Sequence, residues 1–108
     1  MATKVQLYDE GKRLKDAGQY EEALAKFQES MNLDEKYAVP VHAAVECLTR
    51  LGRHEEAISL ARKIIELEPD DYFSYIALSR AYQQAGRIPE AEYAMMQGQQ
   101  AQMRAARH

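Results

Sequence analysis

Apolar residues fall along this chain in paired runs at helical spacing, each pair split by a short polar break. Leu7, Gly11 and Leu14 share a face between Lys4 and Ala17, and Tyr20, Ala23, Leu24, Phe27 and Met31 share another between Tyr20 and Leu33. A second pair follows, with Val41, Ala44, Val45, Leu48 and Leu51 set against Ala57, Ile58, Ala61, Ile64, Ile65 and Leu67. The third pairs Tyr75, Leu78, Ser79 and Tyr82 with Ile88, Ala91, Ala94 and Met95. Intervals of three and four residues put each set on one side of a helix, so the pattern predicts six helices in three pairs.

The breaks carry the matching punctuation. Gly18, Gly52 and Gly86 can end a helix in the left-handed conformation without a side-chain penalty. Asp70 or Asp71 is placed to cap the fifth helix. Pro40 and Pro89 belong in first turns, because deeper in a helix each would cost about 3 kcal/mol.

The glycines Gly18, Gly52 and Gly86 lie 34 residues apart, and Ala23, Ala57 and Ala91 keep that interval, as do Glu22, Glu56 and Glu90. Three columns in one register mark an internal repeat, with units at about residues 4–37, 38–71 and 72–105 of a single domain spanning 1–108.

This pattern resembles the tetratricopeptide repeat family, a 34-residue helix-turn-helix motif. The matching residues are Leu7, Gly11, Leu14, Gly18, Tyr20, Ala23, Phe27 and Ser30 in the first unit. The second has Val41, Leu48, Gly52, His54, Ala57, Ala61, Ile64 and Pro69, and the third Tyr75, Leu78, Ser79, Tyr82, Gly86, Ile88, Ala91, Met95 and Gly98. The resemblance covers about Lys4 to Met103 and implies an all-α, right-handed superhelix of three stacked units. Gly11, Gly18, Ala23, Phe27, Gly52, Ala57, Pro69, Tyr82, Gly86 and Ala91 are its structural positions. Departures are Glu10 and Ala44 in place of Leu, Val45 in place of a small residue, and Glu35 and Met103 in place of Pro. Val45, expected opposite Ile64, puts the local packing distance in question.

The last helix runs on past Ala94 as a polar, methionine-bearing segment. It is expected either to cap the stack or, through Met95, Met96 and Met103, to carry a self-association contact or the seat of a further repeat.

The same resemblance implies a concave groove lined by the first helix of each unit. Its facing positions are Val5, Tyr8, Asp9, Lys12 and Lys15, then Val39, His42, Ala43, Glu46 and Arg50, then Phe73, Ile76, Ala77, Arg80 and Gln83. Tyr8, Lys12, Lys15, His42, Glu46, Arg50, Phe73, Ile76 and Arg80 are therefore the candidate partner-binding residues. Lys12, Arg50 and Arg80 suit carboxylates, while Tyr8 and Phe73 suit apolar anchors. Family members that bind the tails of large heat-shock chaperones carry a Lys/Asn, Asn, Lys/Arg clamp, but those positions here hold Tyr8 and Lys12, Ala43, and Phe73 and Ala77. That partner class is not expected. In repeat count the chain also resembles small bacterial secretion chaperones, an analogy of fold alone.

Composition narrows the functional classes. The 108 residues leave little room for a catalytic core with a recognition domain, and 14 Lys and Arg against 17 Asp and Glu give a net charge of −3. Nucleic acid is not an expected partner, and most of the seven tyrosines fall at packing or groove positions instead of beside a basic ribbon. No apolar run is long enough to cross a bilayer, so no membrane partner and a cytoplasmic location are expected. Cys47 is alone and reads as a packing residue; Ser74 and Ser79 lack a paired base, and no glycine-rich phosphate loop occurs. His42 and Glu46 stand one helical turn apart, but two ligands rarely define a metal site. His54 is expected to be structural or at the surface, and His108 to be a mobile terminus. Glu21, Glu22, Glu55 and Glu56 sit at helix starts, where the dipole favours acids. The expectation is a non-enzymatic module without cofactor or metal that binds a protein or peptide. The alternative is a structural unit that assembles with copies of itself into a homo-oligomer.

Overall fold

The structure, a computed structural model, describes residues 1–107; the terminal His108 lies outside the described residues. Among the described residues six helices follow one another: α1 (Lys4–Asp16), α2 (Tyr20–Leu33), α3 (Val39–Arg50), α4 (His54–Leu67), α5 (Tyr72–Gln84) and α6 (Ile88–Ala106).

Each pair is joined by the same turn. Gly18, Gly52 and Gly86 have φ of 80°, 74° and 77°, the left-handed region that glycine enters freely. At the first turn the Gly18 amide donates to the Lys15 carbonyl at 2.9 Å and the Gln19 amide to Leu14 at 2.9 Å. The same two bonds recur around Gly52 and Gly86, so carbonyls that helix ends leave unpaired are satisfied identically three times. Of the two aspartates before α5, Asp71 is the cap, its carboxylate accepting from the Phe73 amide at 3.0 Å. Thr3 and Gln6 form a reciprocal capping box on α1, which the apolar pattern did not signal. Pro40 and Pro89 occupy first turns.

The helices stack as helix-turn-helix units, each packing on its sequence neighbours. In addition α1 touches α3 and α3 touches α5, whereas among the described residues α2, α4 and α6 make no comparable contact with one another. The stack therefore bends with the first helices inside. Its core runs from Ala23 and Phe27 through Val41, Leu48, Ile58 and Ile64 to Leu78, Tyr82 and Ala94. Ser30, Ser74 and Ser79 are buried within it, and their hydroxyls donate to the carbonyls of Lys4, Glu68 and Ala91. No buried hydroxyl there is left unpaired, which would cost about 1–3 kcal/mol each.

Two family departures have physical explanations. Glu10, at a usual Leu position, stands 3.3 Å from Lys26 and ties α1 to α2 by charge. Val45 falls 34 residues after Gly11 and the fully buried Ala61 falls 34 after Phe27, so the repeat register sets Ala61, instead of Ile64, against the valine where the first unit has Phe27 against Gly11. A Cβ on Gly11 would lie 2.6 Å from the Phe27 ring.

The extension of α6 folds back along the stack. Arg104 reaches Asp70 at 3.5 Å and the Pro69 carbonyl at 3.4 Å, tying the last helix to the α4–α5 turn. Met96 and Met103 stay exposed at 44% and 57%. No helix among the described residues is long and apolar enough to cross a membrane.

Candidate functional site: the concave face

The bend that brings α1, α3 and α5 together creates one continuous inner face, and the helical period decides what it shows. On α3, His42, Glu46 and Arg50 recur at four-residue intervals, and on α5 the sequence Phe73, Ile76, Ala77, Arg80 and Gln84 covers one stripe. Between these stripes lies a cleft of about 510 Å³. Val45, Ala77 and Ala81 supply its apolar surface, and His42, Glu46, Thr49, Arg50, Arg80, Gln83 and Gln84 surround it with polar groups.

Four of the candidate residues thus meet in one cleft: His42, Glu46, Arg50 and Arg80. Their charges are not equivalent. Glu46 accepts from Lys15 Nζ at 2.8 Å across the α1–α3 seam. Burial works against the Lys15 ammonium, but the hydrogen bond and charge of Glu46 more than offset it and hold its pKa above the ordinary lysine value. His42 Nε2 stands 3.8 Å from Glu68, so His42 and Glu46 turn to different partners despite being one turn apart. Arg50 and Arg80 have no ion pair among the described residues and remain exposed.

The other candidates sit apart from this cleft. Lys12 is exposed and 3.7 Å from Asp16 on its own helix. Tyr8 is half-buried and packs on Phe27 with ring centroids 5.7 Å apart, so it contributes to the core as well as to the inner face. Phe73 is 68% exposed at the amino-terminal end of α5, edge-on to Tyr72, with Ile76 half-buried one turn later. Val45, Thr49, Ala81 and Gln84 were missed as lining residues. The signal for Gln84 was its spacing, one helical turn beyond Arg80.

A second depression, about 420 Å³, lies on the outer face between Arg62 of α4 and Pro89, Tyr93 and Gln97 of α6. It opens because α4 and α6 do not touch, and its floor is Leu78 and Tyr82, the latter accepting a hydrogen bond from Arg62.

Groups with chemical potential elsewhere are held in packing roles. Cys47 is fully buried, and burial pushes its thiol up to about 11. Near neutral pH a thiol reagent should therefore leave the native protein unmodified over minutes and react fully once urea unfolds it; rapid native reaction would show that the helix opens locally. His54 is half-buried at the start of α4, its Nδ1 buried without a hydrogen-bond partner. Among the described residues no three His, Cys, Asp or Glu side chains gather closely enough to hold a metal ion.

Outside the groove, the repeat also writes an ion-pair ladder. Arg53, preceding α4, reaches Glu56 at 2.6 Å and Glu21 of the previous unit at 3.6 Å. Arg87, preceding α6, reaches Glu90 at 2.7 Å and Glu55 at 3.1 Å.

The tetratricopeptide repeat pattern matches residues 14–78 and 50–107. No curated protein sequence matches the chain. Among solved structures it is similar to MamA, with a TM-score of 0.89 and 20% identity over 98% of this chain and 58% of that one. It is also similar to the second TPR of Spaghetti (RPAP3) bound to the HSP90 peptide SRMEEVD, with a TM-score of 0.81 and 17% identity over 93% of both chains. The Yersinia enterocolitica type III secretion translocator chaperone SycD gives a TM-score of 0.84 at 21% identity, over 91% of this chain and 73% of its own. The chain spans about three fifths of the length of the MamA chains it resembles. These likenesses establish a shared fold.

Proposed function

The chain belongs to the tetratricopeptide repeat family, and on that footing we propose that it is a non-enzymatic adaptor that captures a segment of a partner protein on its concave face. The observation that carries this reading is the cleft between α3 and α5, where an apolar floor is rimmed by two arginines without ion pairs among the described residues and several amide and hydroxyl groups. A shallow floor with a polar rim suits a peptide better than a small molecule, because donors and acceptors are distributed along the face instead of converging on one point. The solved complex of the Spaghetti TPR with an HSP90 peptide supports a peptide-binding use of this fold. Tyr8, Lys12, Ala43, Phe73 and Ala77 stand where the chaperone-tail clamp would be, so the partner proposed here is of another kind.

The test is a crosslinking capture from native lysate with the wild-type chain and a Phe73→Ala, Arg80→Ala variant. Both side chains are exposed, so helix content and Tm should be unchanged within error. A partner recovered by the wild type should be lost or reduced at least tenfold with the variant. Equal recovery would overturn the groove reading.

Self-association is the second reading, favoured by Tyr93, Met96 and Met103, exposed along α6 at 58%, 44% and 57%. It requires a mass that rises with concentration in sedimentation, abolished by Met96→Lys, Met103→Lys and untouched by the groove variant.

A further inference from the structure

One apolar column recurs on the inner face in all three repeats. Val5, Val39 and Phe73 occupy one column at 34-residue intervals near the amino-terminal ends of α1, α3 and α5. All three are exposed, at 48%, 42% and 68%. One column of large apolar residues, left in water at each repeat, forms an edge along the stack. Toward the other ends of α3 and α5 stand Arg50 and Arg80, both without ion pairs among the described residues, while the neighbouring Glu46 is neutralised by Lys15. The cleft therefore carries uncompensated positive charge on a chain whose net charge is −3.

We infer that this face receives an acidic amphipathic helix of a partner, lying across α1, α3 and α5. Its apolar flank rests on the Val5, Val39 and Phe73 edge, and its carboxylates meet Arg50 and Arg80. Distances support a helix as occupant. Phe73 and Arg80 are seven residues apart on α5, about 10 Å at the helical rise, which matches the diameter of a helix with its side chains. On α3 the span from Val39 to Arg50 is eleven residues, about 16 Å, so a helix resting on the apolar edge meets Arg80 directly and Arg50 through the length of its side chain. Packed helices such as α3 and α5 lie roughly 8–10 Å apart, close to two turns of a ligand helix, so acids about seven residues apart on the ligand would reach both arginines. Guanidinium groups favour such paired carboxylates because each offers a planar fork of donors. Ala77, between Phe73 and Arg80 on α5, is small and lets the ligand approach closely.

This inference rests on the concave-face reading above, and its test separates the two. A phage-displayed library of random 16-residue peptides is selected against the full chain, and the recovered peptides are synthesised and titrated by fluorescence anisotropy. The expected sequences carry Asp or Glu about seven residues apart and an apolar stripe, gain helical circular dichroism on binding, and weaken at least tenfold with Arg50→Glu, Arg80→Glu. Replacing their acids with lysine should abolish binding to the wild type and restore it to that charge-reversed variant. Phe73→Ser should also weaken them several-fold.

Peptides that lose affinity with Phe73→Ser but ignore the arginine changes, or whose lysine versions bind equally, would overturn the acidic-ligand inference and leave the groove reading standing. Binding without helix gain would overturn the helical form. Peptides indifferent to every groove substitution, or no enriched peptide at all, would overturn both.

Discussion

Phe27→Ala should cost about 3–5 kcal/mol of folding free energy, the range for deleting a fully buried aromatic ring. Phe27 is 0% exposed and sits where α1 and α2 close the first unit. Its ring touches the surface left by Gly11 and packs against Tyr8, so truncation removes apolar contact on several sides. Backbone collapse cannot fill the space easily, because the turn between the two helices is fixed by the Gly18 bonds. Since domains of this size are typically stable by only about 5–15 kcal/mol, the loss is a large share of the total. Urea unfolding should show the midpoint falling sharply with little change in m, and Tm should drop by roughly 15 °C or more. Stability in a solenoid is summed from units and their interfaces, so hydrogen exchange should rise most in α1 and α2 and least in α5 and α6. A midpoint within experimental error of wild type would mean that Phe27 is not the keystone of the first unit.

Helices were legible because burial is periodic. Tyr20 to Leu33 is the extent of α2 in the structure as in the apolar pattern, and the three glycine turns follow from residues that alone adopt positive φ cheaply. Asp71 was legible only as one of two aspartates, because a cap depends on where the last non-helical residue falls. The Thr3 and Gln6 box was not seen, since it involves polar residues outside the apolar repeat. At the candidate site, His42, Glu46, Arg50 and Arg80 were placed on one face by spacing, but the pairing of Glu46 with Lys15 was not readable. That contact joins residues 31 positions apart and depends on how tightly α1 and α3 approach. The sequence pattern therefore showed charges of both signs, whereas the structure distinguishes a neutralised acid from two arginines without ion pairs among the described residues. Tyr8 illustrates the same limit: a groove-facing column does not reveal that the ring leans on Phe27.

Gly11→Val alone should destabilise by about 1–3 kcal/mol or more, and combining it with Phe27→Ala should recover part of both losses. The reason lies in the repeat itself. Gly11, Val45 and Ser79 form one column at 34-residue spacing, and Phe27, Ala61 and Met95 form the column that answers it. Where the first column is smallest the second is largest, and where it holds Val the second holds Ala. In the first unit a Cβ on Gly11 would come within 2.6 Å of Phe27 Cε1 and 2.8 Å of Cδ1. Those are rigid ring atoms in a closed core, so the single substitution must push the helices apart or force the ring off its rotamer. Truncating Phe27 removes the obstruction and leaves a cavity that the valine side chain can occupy. The double variant transplants the second unit's Val45 and Ala61 arrangement into the first, and Val45 and Ala61 are both buried in the native core. A double-mutant cycle from urea midpoints should give a favourable coupling of about 1–3 kcal/mol, since the residues are in direct contact. Strictly additive losses would show that size exchange between the columns does not set the spacing of α1 and α2. A favourable coupling would explain how one repeat pattern tolerates a valine at a close-approach position: what each unit conserves is the summed volume across the pair of helices, and either helix can supply it.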